Sequence, residues 1–293
     1  MNYQYKSNSI NHNFEIYWSN IKFNFGYLGI SKNGSTNFKS HFGLNKINDL
    51  TNPKHEIIFS TLRNPTERFV SSLLETTLRA HPDDSDIPFR NVKVPSEVYG
   101  DILNFDISSG KLFLNSFINT INKYGFYDAH FEPQFHFLFN KQGELRYDFT
   151  IFPLINMDYE IKNLAKKHKV KTSSTIYHTR ANRKNQKLFK FKFKTIENIE
   201  ELDSKKFTNC HVLEKYHPIC KLLKIQVDKK YLVANKDFLE TRLSNYYKKT
   251  LLPLNDDNKF NEFIYLNYSQ DIHLYQELIK RYISKPLKLS LLI

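Results

Sequence analysis

The chain has 293 residues, of which 40% are hydrophobic and 15% aromatic, so it can bury a substantial core and is not a disordered tail. Lys and Arg exceed Asp and Glu by 43 − 30 = 13, an excess that favours anionic partners. The two cysteines, Cys210 and Cys220, are too few for a disulfide framework and indicate a reducing compartment.

The first thirty residues are polar and lack the apolar segment of a signal peptide. No stretch approaches the roughly 18 apolar residues that a membrane helix needs. The sequence therefore predicts a cytoplasmic protein with no stable membrane insertion.

Strands and helices alternate in the first eighty residues. The predicted elements are strands over 14–18 and 22–30, a helix from Ser35 to about Phe42 that is ended by Gly43, a strand over 56–62 and a helix that begins at Pro65. This order is typical of an α/β protein with a parallel sheet.

The remainder of the chain gives weaker signals. Residues 81–100 are rich in Pro and Asp and predict an exposed excursion, whereas residues 187–250 alternate lysine with aromatic residues and allow no firm prediction. The further predicted elements are a helix over 111–123, a strand over 147–154, a helix over 158–168 and a terminal helix over 266–283. No repeat or linker divides the chain, which predicts a single domain over 1–293.

The segment GISKNGSTNF, residues 29–38, follows the second predicted strand. Gly29 and Gly34 have the spacing of a triphosphate-binding loop, G-x-x-x-x-G-K-[ST]. However, Ser35 stands where that loop has its lysine, and Lys32 comes two positions before the second glycine. The segment thus differs from a triphosphate loop at the residue that contacts the outer phosphates.

In open α/β sheets, ligands bind beyond the carboxyl ends of strands, where helix N-termini present free N–H groups. The amides of residues 33–36 and the hydroxyls of Ser35 and Thr36 could therefore surround one phosphate, with Lys32 as a nearby cation. Ordinary capping of a helix by a Gly-Ser-Thr turn is the alternative interpretation.

A second basic segment, LRNPTERFVSS, follows the next predicted strand. Arg63 leaves the end of that strand, and Ser71 lies two turns into the helix that follows. An arginine fork and a hydroxyl near a neighbouring strand end predict a second phosphate site. For Arg68 we expect instead a surface ion pair with Glu67 or Glu75.

These two segments resemble one family. SKNGSTNFK, residues 31–39, resembles the 5′-phosphosulfate loop of sulfotransferases that use 3′-phosphoadenylyl sulfate (PAPS), and RNPTERFVSS resembles their 3′-phosphate motif, R-x-P-x-x-R-x-x-S. Three later segments resemble the carbohydrate branch, which includes the chondroitin and dermatan sulfotransferases. They are DAHFEPQFHF…ELRYDFTIFPLINMD over 128–158, YHTRANRK over 177–184 and YSQDIHLY over 268–275.

The chain departs from that family at several points. Ser31 replaces the usual proline, and FNKQGELR stands where the family has paired cysteines. The match is weak over 187–260, which we interpret as an insertion or an acceptor-side segment. The family's eukaryotic members are anchored in the Golgi membrane, whereas this chain shows no anchor, which fits a bacterial or viral enzyme better.

The resemblance implies a P-loop-like three-layer fold, with a central parallel sheet flanked by helices. It also implies PAPS as the donor and a hydroxyl acceptor on a saccharide or glycan, with no metal and no nucleic acid. The implied cofactor-binding residues are Lys32, Asn33, Gly34, Ser35, Thr36, Asn37, Arg63 and Ser71.

Two catalytic roles follow from the same resemblance. Lys32 would neutralise charge on the leaving oxygen, and His130 would accept the proton of the acceptor hydroxyl. A purely structural role for His130 remains open, and the competing bases are His41, His55 and Glu75.

Other functional hypotheses compete with that of a sulfotransferase. A P-loop-type kinase would need the triphosphate loop that the chain lacks, and a basic module for nucleic acid would need a recognition motif that is not found. The cluster Cys210, His211, His217 and Cys220 could hold zinc, but its spacing fits no common finger.

Overall fold

In a computed structural model, the structure describes residues 17–20, 24–47, 57–82, 92–140, 142–169, 192–199, 210–283 and 285–292. The strands are β1 Tyr17–Asn20, β2 Phe25–Leu28, β3 Asn45–Ile47, β4 Ile57–Leu62, β5 Ala80–Pro82, β6 Val92–Val94, β7 Thr150–Pro153, β8 Phe193–Ile196, β9 Cys210–Glu214, β10 Tyr231–Asn235 and β11 Leu287–Lys288. The α-helices are α1 Ser35–Phe42, α2 Pro65–Arg79, α3 Ser96–Leu103, α4 Gly110–Tyr124, α5 Gln134–Leu138, α6 Met157–Lys167, α7 Pro218–Leu222, α8 Lys236–Tyr246 and α9 Asn258–Arg281.

The chain forms two compact units, each assembled from separate parts of the sequence. The first contains the described residues of Met1–Phe69, Ala129–Ile176 and Asn261–Ile293. The second contains those of Val70–Asp128 and Tyr177–Phe260. The single domain over 1–293 stays a prediction.

A six-stranded sheet in the order β11-β7-β4-β2-β1-β3 forms the centre of the first unit. The pairs β2–β4 and β4–β7 are parallel, whereas β1–β2, β1–β3 and β11–β7 are antiparallel. The predicted α/β class is confirmed, but the sheet is mixed and its parallel part is confined to the middle strands. The chain between Asn20 and Phe25 is too short for a crossover, so β1 and β2 pair as a hairpin.

Alternate residues of the strands belong to different apolar clusters, and each cluster includes helix residues. Helices therefore cover both faces of this sheet. Phe25, Tyr27 and Phe59 pack in one cluster, to which α1 and α6 contribute Phe38, Phe42, Ile161 and Leu164. Leu28, Ile58 and Leu62 pack in another, to which α5 and α9 contribute Phe137, Leu138, Leu274 and Leu278. The loops that follow the strands are therefore attached to a sheet that is packed on both faces.

Local signals located several helix ends correctly. Helix α1 spans Ser35–Phe42 and ends at Gly43, whose φ of 55° is left-handed, as predicted. Helix α2 begins at Pro65, also as predicted. Helix α9 begins at Asn258, earlier than the predicted 266, and has a kink at Tyr268, where φ is −130° and ψ is 22°.

The second unit contains an antiparallel sheet, β8-β10-β9, and a parallel pair, β5–β6. The exposed excursion predicted over 81–100 is wrong for its described part, since Val94, Val98 and Tyr99 are buried. The Tyr99 hydroxyl donates to Glu214 at 2.9 Å, a contact that the local composition could not reveal. None of the described helices has both the length and the apolar character needed to cross a membrane.

Candidate functional site

The loop over residues 31–34 joins β2 to α1 at the carboxyl edge of the central sheet. Lys32 has a φ of 67° and Gly34 a φ of 74°, so left-handed residues stand on either side of Asn33. Alternation of this kind turns successive N–H groups into a concave, anion-binding arrangement. Helix α1 begins directly afterwards with no acidic residue in its first turn, and the positive end of its dipole adds to the attraction for an anion.

Asn33 anchors this loop to the interior and is fully buried. Its side-chain amide donates to the carbonyl of Thr61 at 2.5 Å and to Oε1 of Gln134 at 2.6 Å. Its backbone N–H donates to Ile30 O at 3.1 Å. Asn33, one of the predicted cofactor-binding residues, therefore uses its side chain and its amide to shape the loop.

The Asn33 carbonyl accepts a hydrogen bond from the Thr61 hydroxyl at 2.6 Å, and that hydroxyl also lies 2.6 Å from the buried Tyr27 hydroxyl. In a trans peptide the carbonyl and the next N–H point in opposite directions. The Gly34 N–H therefore points away from Thr61. Residues 35–37, also predicted to bind the cofactor, form the first turn of α1.

Arg63 follows β4 and lies beside the loop. Its Nη1 donates to the carbonyl of Lys32 at 3.3 Å, and its Nε lies 3.6 Å from the Glu67 carboxylate. The Gln134 side chain accepts from the Arg63 N–H and donates to the Arg63 carbonyl, both at 2.9 Å. The structure thus brings Lys32 and Arg63 together, whereas Ser71 lies in the part of α2 that belongs to the second unit.

Arg68 corrects a sequence prediction, because it lies in the interior of the first unit and not on the surface. Its side chain is only 1% exposed and donates to the carbonyls of Ser31 at 3.0 Å and Glu132 at 2.6 Å. Burial lowers the pKa of the Arg68 guanidinium from its ordinary value, and the charge of Asp271 opposes that shift. A third hydrogen bond runs from Nη2 of Arg68 to the carbonyl of Ala129 at 3.4 Å.

Asp271 on α9 holds the beginning of α5. Its carboxylate accepts from the N–H groups of Gln134 and Phe135, each at 2.7 Å. Burial raises the pKa of Asp271, and the charge of Arg68 is the main opposing influence. Sequence reasoning gave no role to Gln134 or Asp271, and it placed Arg68 on the surface. All three do lie within the segments that carry the family resemblance, and that was the available signal.

The candidate bases lie in very different surroundings. His130 lies in a turn of the first unit and is partly buried. His41, on α1, is 7% exposed, and neither ring nitrogen has a hydrogen-bond partner among the described residues. Glu75 is buried in the second unit and forms an ion pair with Arg79, while His55 lies outside the described residues.

The Cys and His cluster of the second unit serves local structure. Nδ1 of His217 accepts from the N–H of Ile219 at 3.2 Å and caps α7, and the Cys220 thiol lies 3.7 Å from the carbonyl of Glu214. Burial raises the pKa of the Cys210 thiol. Within the described ranges, no group of three or more His, Cys, Asp or Glu side chains could hold a metal ion.

No protein-family model, curated protein or solved structure matches the chain. A functional assignment therefore depends on the two basic segments and on their geometry. The geometry places the Arg63 guanidinium beside the backbone of Lys32, in front of a helix N-terminus and at the ends of neighbouring parallel strands. Such an arrangement can bind a ligand that carries two anionic groups.

Replacing Arg68 by Met should destabilise the protein by about 3 kcal/mol, because buried carbonyls lose their donor and the Asp271 charge loses its counterion. Arg63→Met is the matched control, since Arg63 is partly exposed, and should cost about 1 kcal/mol or less. Urea unfolding of both variants measures the difference. Equal costs would contradict the assignment of Arg68 as the buried anchor of the loop.

Gly34→Ala should cost more stability than Gly43→Ala, although both glycines have a positive φ. A methyl at Gly43 would meet open space, so only the left-handed strain of about 1–2 kcal/mol applies. At Gly34 it would lie 2.7 Å from side-chain atoms of Leu154 and Met157, which must move. Thermal unfolding of the two variants tests this, and equal shifts would show that the site accommodates a Cβ.

His41 should make stability depend on pH. Burial lowers its pKa from the ordinary 6.5, with Asp158 opposing, so the folded chain binds a proton on His41 less readily than the unfolded chain. The stability contribution is therefore complete above pH 6.5 and falls as the pH drops through and below that value. Urea unfolding between pH 7 and pH 5 should show a smaller loss for His41→Phe than for wild type.

The control for this measurement is His273→Gln, because His273 is exposed on α9. This variant should keep the wild-type dependence of stability on pH. Identical pH profiles for wild type and His41→Phe would contradict a destabilising protonation of His41.

Proposed function

We propose that the chain is a sulfotransferase that moves a sulfuryl group from PAPS to a hydroxyl of a carbohydrate. The observation that carries the proposal is the contact between the two basic segments, in which Arg63 donates to the carbonyl of Lys32 at 3.3 Å across 31 positions of sequence. PAPS carries a 5′-phosphosulfate and a 3′-phosphate. A protein that binds it needs two anion sites side by side, and this contact supports such a pair.

The chemistry of each segment supports a division of roles. The loop amides from Gly34 onward and the start of α1 would hold the 5′-phosphate, with Ser35 and Thr36 as further donors. Arg63 would hold the 3′-phosphate, because a guanidinium offers forked donors to phosphate oxygens. PAPS presents a single phosphate to the loop. A loop that binds one phosphate does not need the lysine with which a triphosphate-binding loop contacts the outer phosphates, which agrees with Ser35 at that position.

In the proposed reaction, the acceptor hydroxyl oxygen attacks sulfur while the bond from sulfur to the bridging oxygen breaks. The electron pair of that bond stays on the 5′-phosphate, and the hydroxyl proton passes to a base. The transition state is loose and in line, so positioning and charge stabilisation supply most of the rate. Lys32 would stabilise the leaving oxygen, a role worth about 3–4 kcal/mol.

His130 is the proposed base, because histidine side chains can accept a proton near neutral pH and His130 belongs to the same unit as Lys32 and Arg63. Two competitors have weaker support. His41 is buried on α1, the helix that follows the loop in the chain, and the Glu75 carboxylate already forms an ion pair with Arg79. No specific contact of the described residues favours the kinase or the nucleic-acid alternative.

Calorimetry with adenosine 3′,5′-bisphosphate, the expected product, tests the proposal without magnesium. Arg63→Gln should weaken binding by about tenfold to a hundredfold, since it removes charge-assisted hydrogen bonds. Lys32→Asn should weaken it by about tenfold, and Asn suits the left-handed backbone at this position. The control Lys46→Gln, at an exposed lysine of β3, should change affinity by less than about twofold.

Two results of this experiment would refute the proposal. One is the absence of binding by the wild-type chain. The other is equally tight binding of ATP that depends on magnesium, which would favour the kinase alternative.

A further inference from the structure

A groove of about 280 Å³ lies within the second unit, where the end of α7 faces the end of α8. Its lining includes Lys224, Arg242 and Lys249, together with Asn245, Tyr246 and Thr250. Lys249 and Thr250 belong to a π-helical turn, Tyr247–Leu251, that continues α8. Turns of this kind are rare and are frequent at functional sites.

The groove has an uncompensated positive charge. None of the described residues that line it carries a carboxylate, and none of its three cationic side chains forms an ion pair with a carboxylate in the described part of the chain. Three like charges around one opening repel one another, and an anion placed among them would relieve that repulsion. The groove therefore favours an anionic ligand.

The Arg242 guanidinium is held in place before any ligand binds. The Arg242 Nη2 donates to the carbonyl of Leu223 at 2.5 Å, and its guanidinium lies 5.7 Å from the ring centroid of Phe238. Lys224 has a left-handed φ of 51° just after the end of α7, a backbone conformation that few residues other than glycine adopt. Fixing the guanidinium in advance lowers the side-chain entropy that is lost on binding.

Three polar residues of the lining indicate the class of anion. Asn245 supplies an amide, Thr250 a hydroxyl and the partly buried Tyr246 an aromatic ring with a polar end. Hydroxyl-rich rings are bound by such groups, and the lysines and the arginine add recognition of carboxylate or sulfate. A nucleic-acid strand would instead need a track of phosphate contacts with successive stacked bases.

From these observations we propose that the groove binds the carboxylate or sulfate group of an acidic saccharide. The ligand is a segment of one or two sugar rings, with its anionic group between Lys224, Arg242 and Lys249. This inference goes beyond the proposed sulfuryl transfer and does not depend on it, since the binding requires neither PAPS nor Lys32.

The test is fluorescence anisotropy of the full chain with a labelled, sulfated and uronate-containing hexasaccharide, in the absence of PAPS. The double variant Lys224→Asn/Lys249→Gln should weaken binding by at least about tenfold, because two charge-assisted contacts are lost. Asn preserves the left-handed backbone at position 224. Lys249→Gln alone should weaken binding by about threefold to tenfold.

Lys248→Gln is the matched control, because Lys248 lies on the same π-helical turn and is exposed but does not line the groove. It should change affinity by less than about twofold. An equal loss in Lys248→Gln and Lys249→Gln would overturn the proposal in favour of diffuse surface charge. Unchanged affinity in the double variant, with wild-type unfolding behaviour, would also overturn it.

A single-stranded oligonucleotide of equal charge distinguishes the other class of polyanion. It should bind more weakly than the hexasaccharide, and its binding should fall steeply with salt. If it binds at least as tightly and loses affinity in the double variant, the groove is a nucleic-acid site and the saccharide proposal is wrong.

Discussion

The position of the loop before α1 depends on the burial of one arginine. Arg68 is 1% exposed, and a charge removed from water costs several kcal/mol unless hydrogen-bond partners and opposite charge replace its hydration. Carbonyls of Ser31, Ala129 and Glu132 provide those acceptors, although they come from segments far apart in sequence. The buried guanidinium thus ties the beginning of the loop to the segment that precedes α5.

A second set of hydrogen bonds extends this constraint to Arg63. Asp271 holds the N–H groups at the start of α5, and the side chain of Gln134 then bonds the amide of Asn33 and the backbone of Arg63. Buried polar networks of this kind are favourable only when their members are satisfied together. Loss of one member would therefore disturb both basic segments at once.

The sequence predicted well the features that depend on near neighbours. The end of α1 at Gly43 and the start of α2 at Pro65 follow from backbone preferences of single residues. The role of Arg68 was predicted wrongly, because only Glu67 and Glu75 on the same helix were considered as partners. Its actual partners, and the bond from Gln134 to Asp271 across 137 positions, depend on how distant segments pack.

The net positive charge of the sequence likewise contains no information on how distant segments pack. Net charge counts every cation equally, but the structure separates them by their surroundings. The charge of Arg68 lies near the opposite charge of Asp271 inside the first unit. The Arg63 guanidinium contacts both the Glu67 carboxylate and the carbonyl of Lys32 in the loop. Lys249 and Arg242, in contrast, line a groove without a carboxylate among its described lining. A fully buried cation surrounded by carbonyls shapes the protein, whereas a partly exposed cation that lines an opening is available to a ligand. The burial of each cation therefore separates these two roles, and the total charge does not.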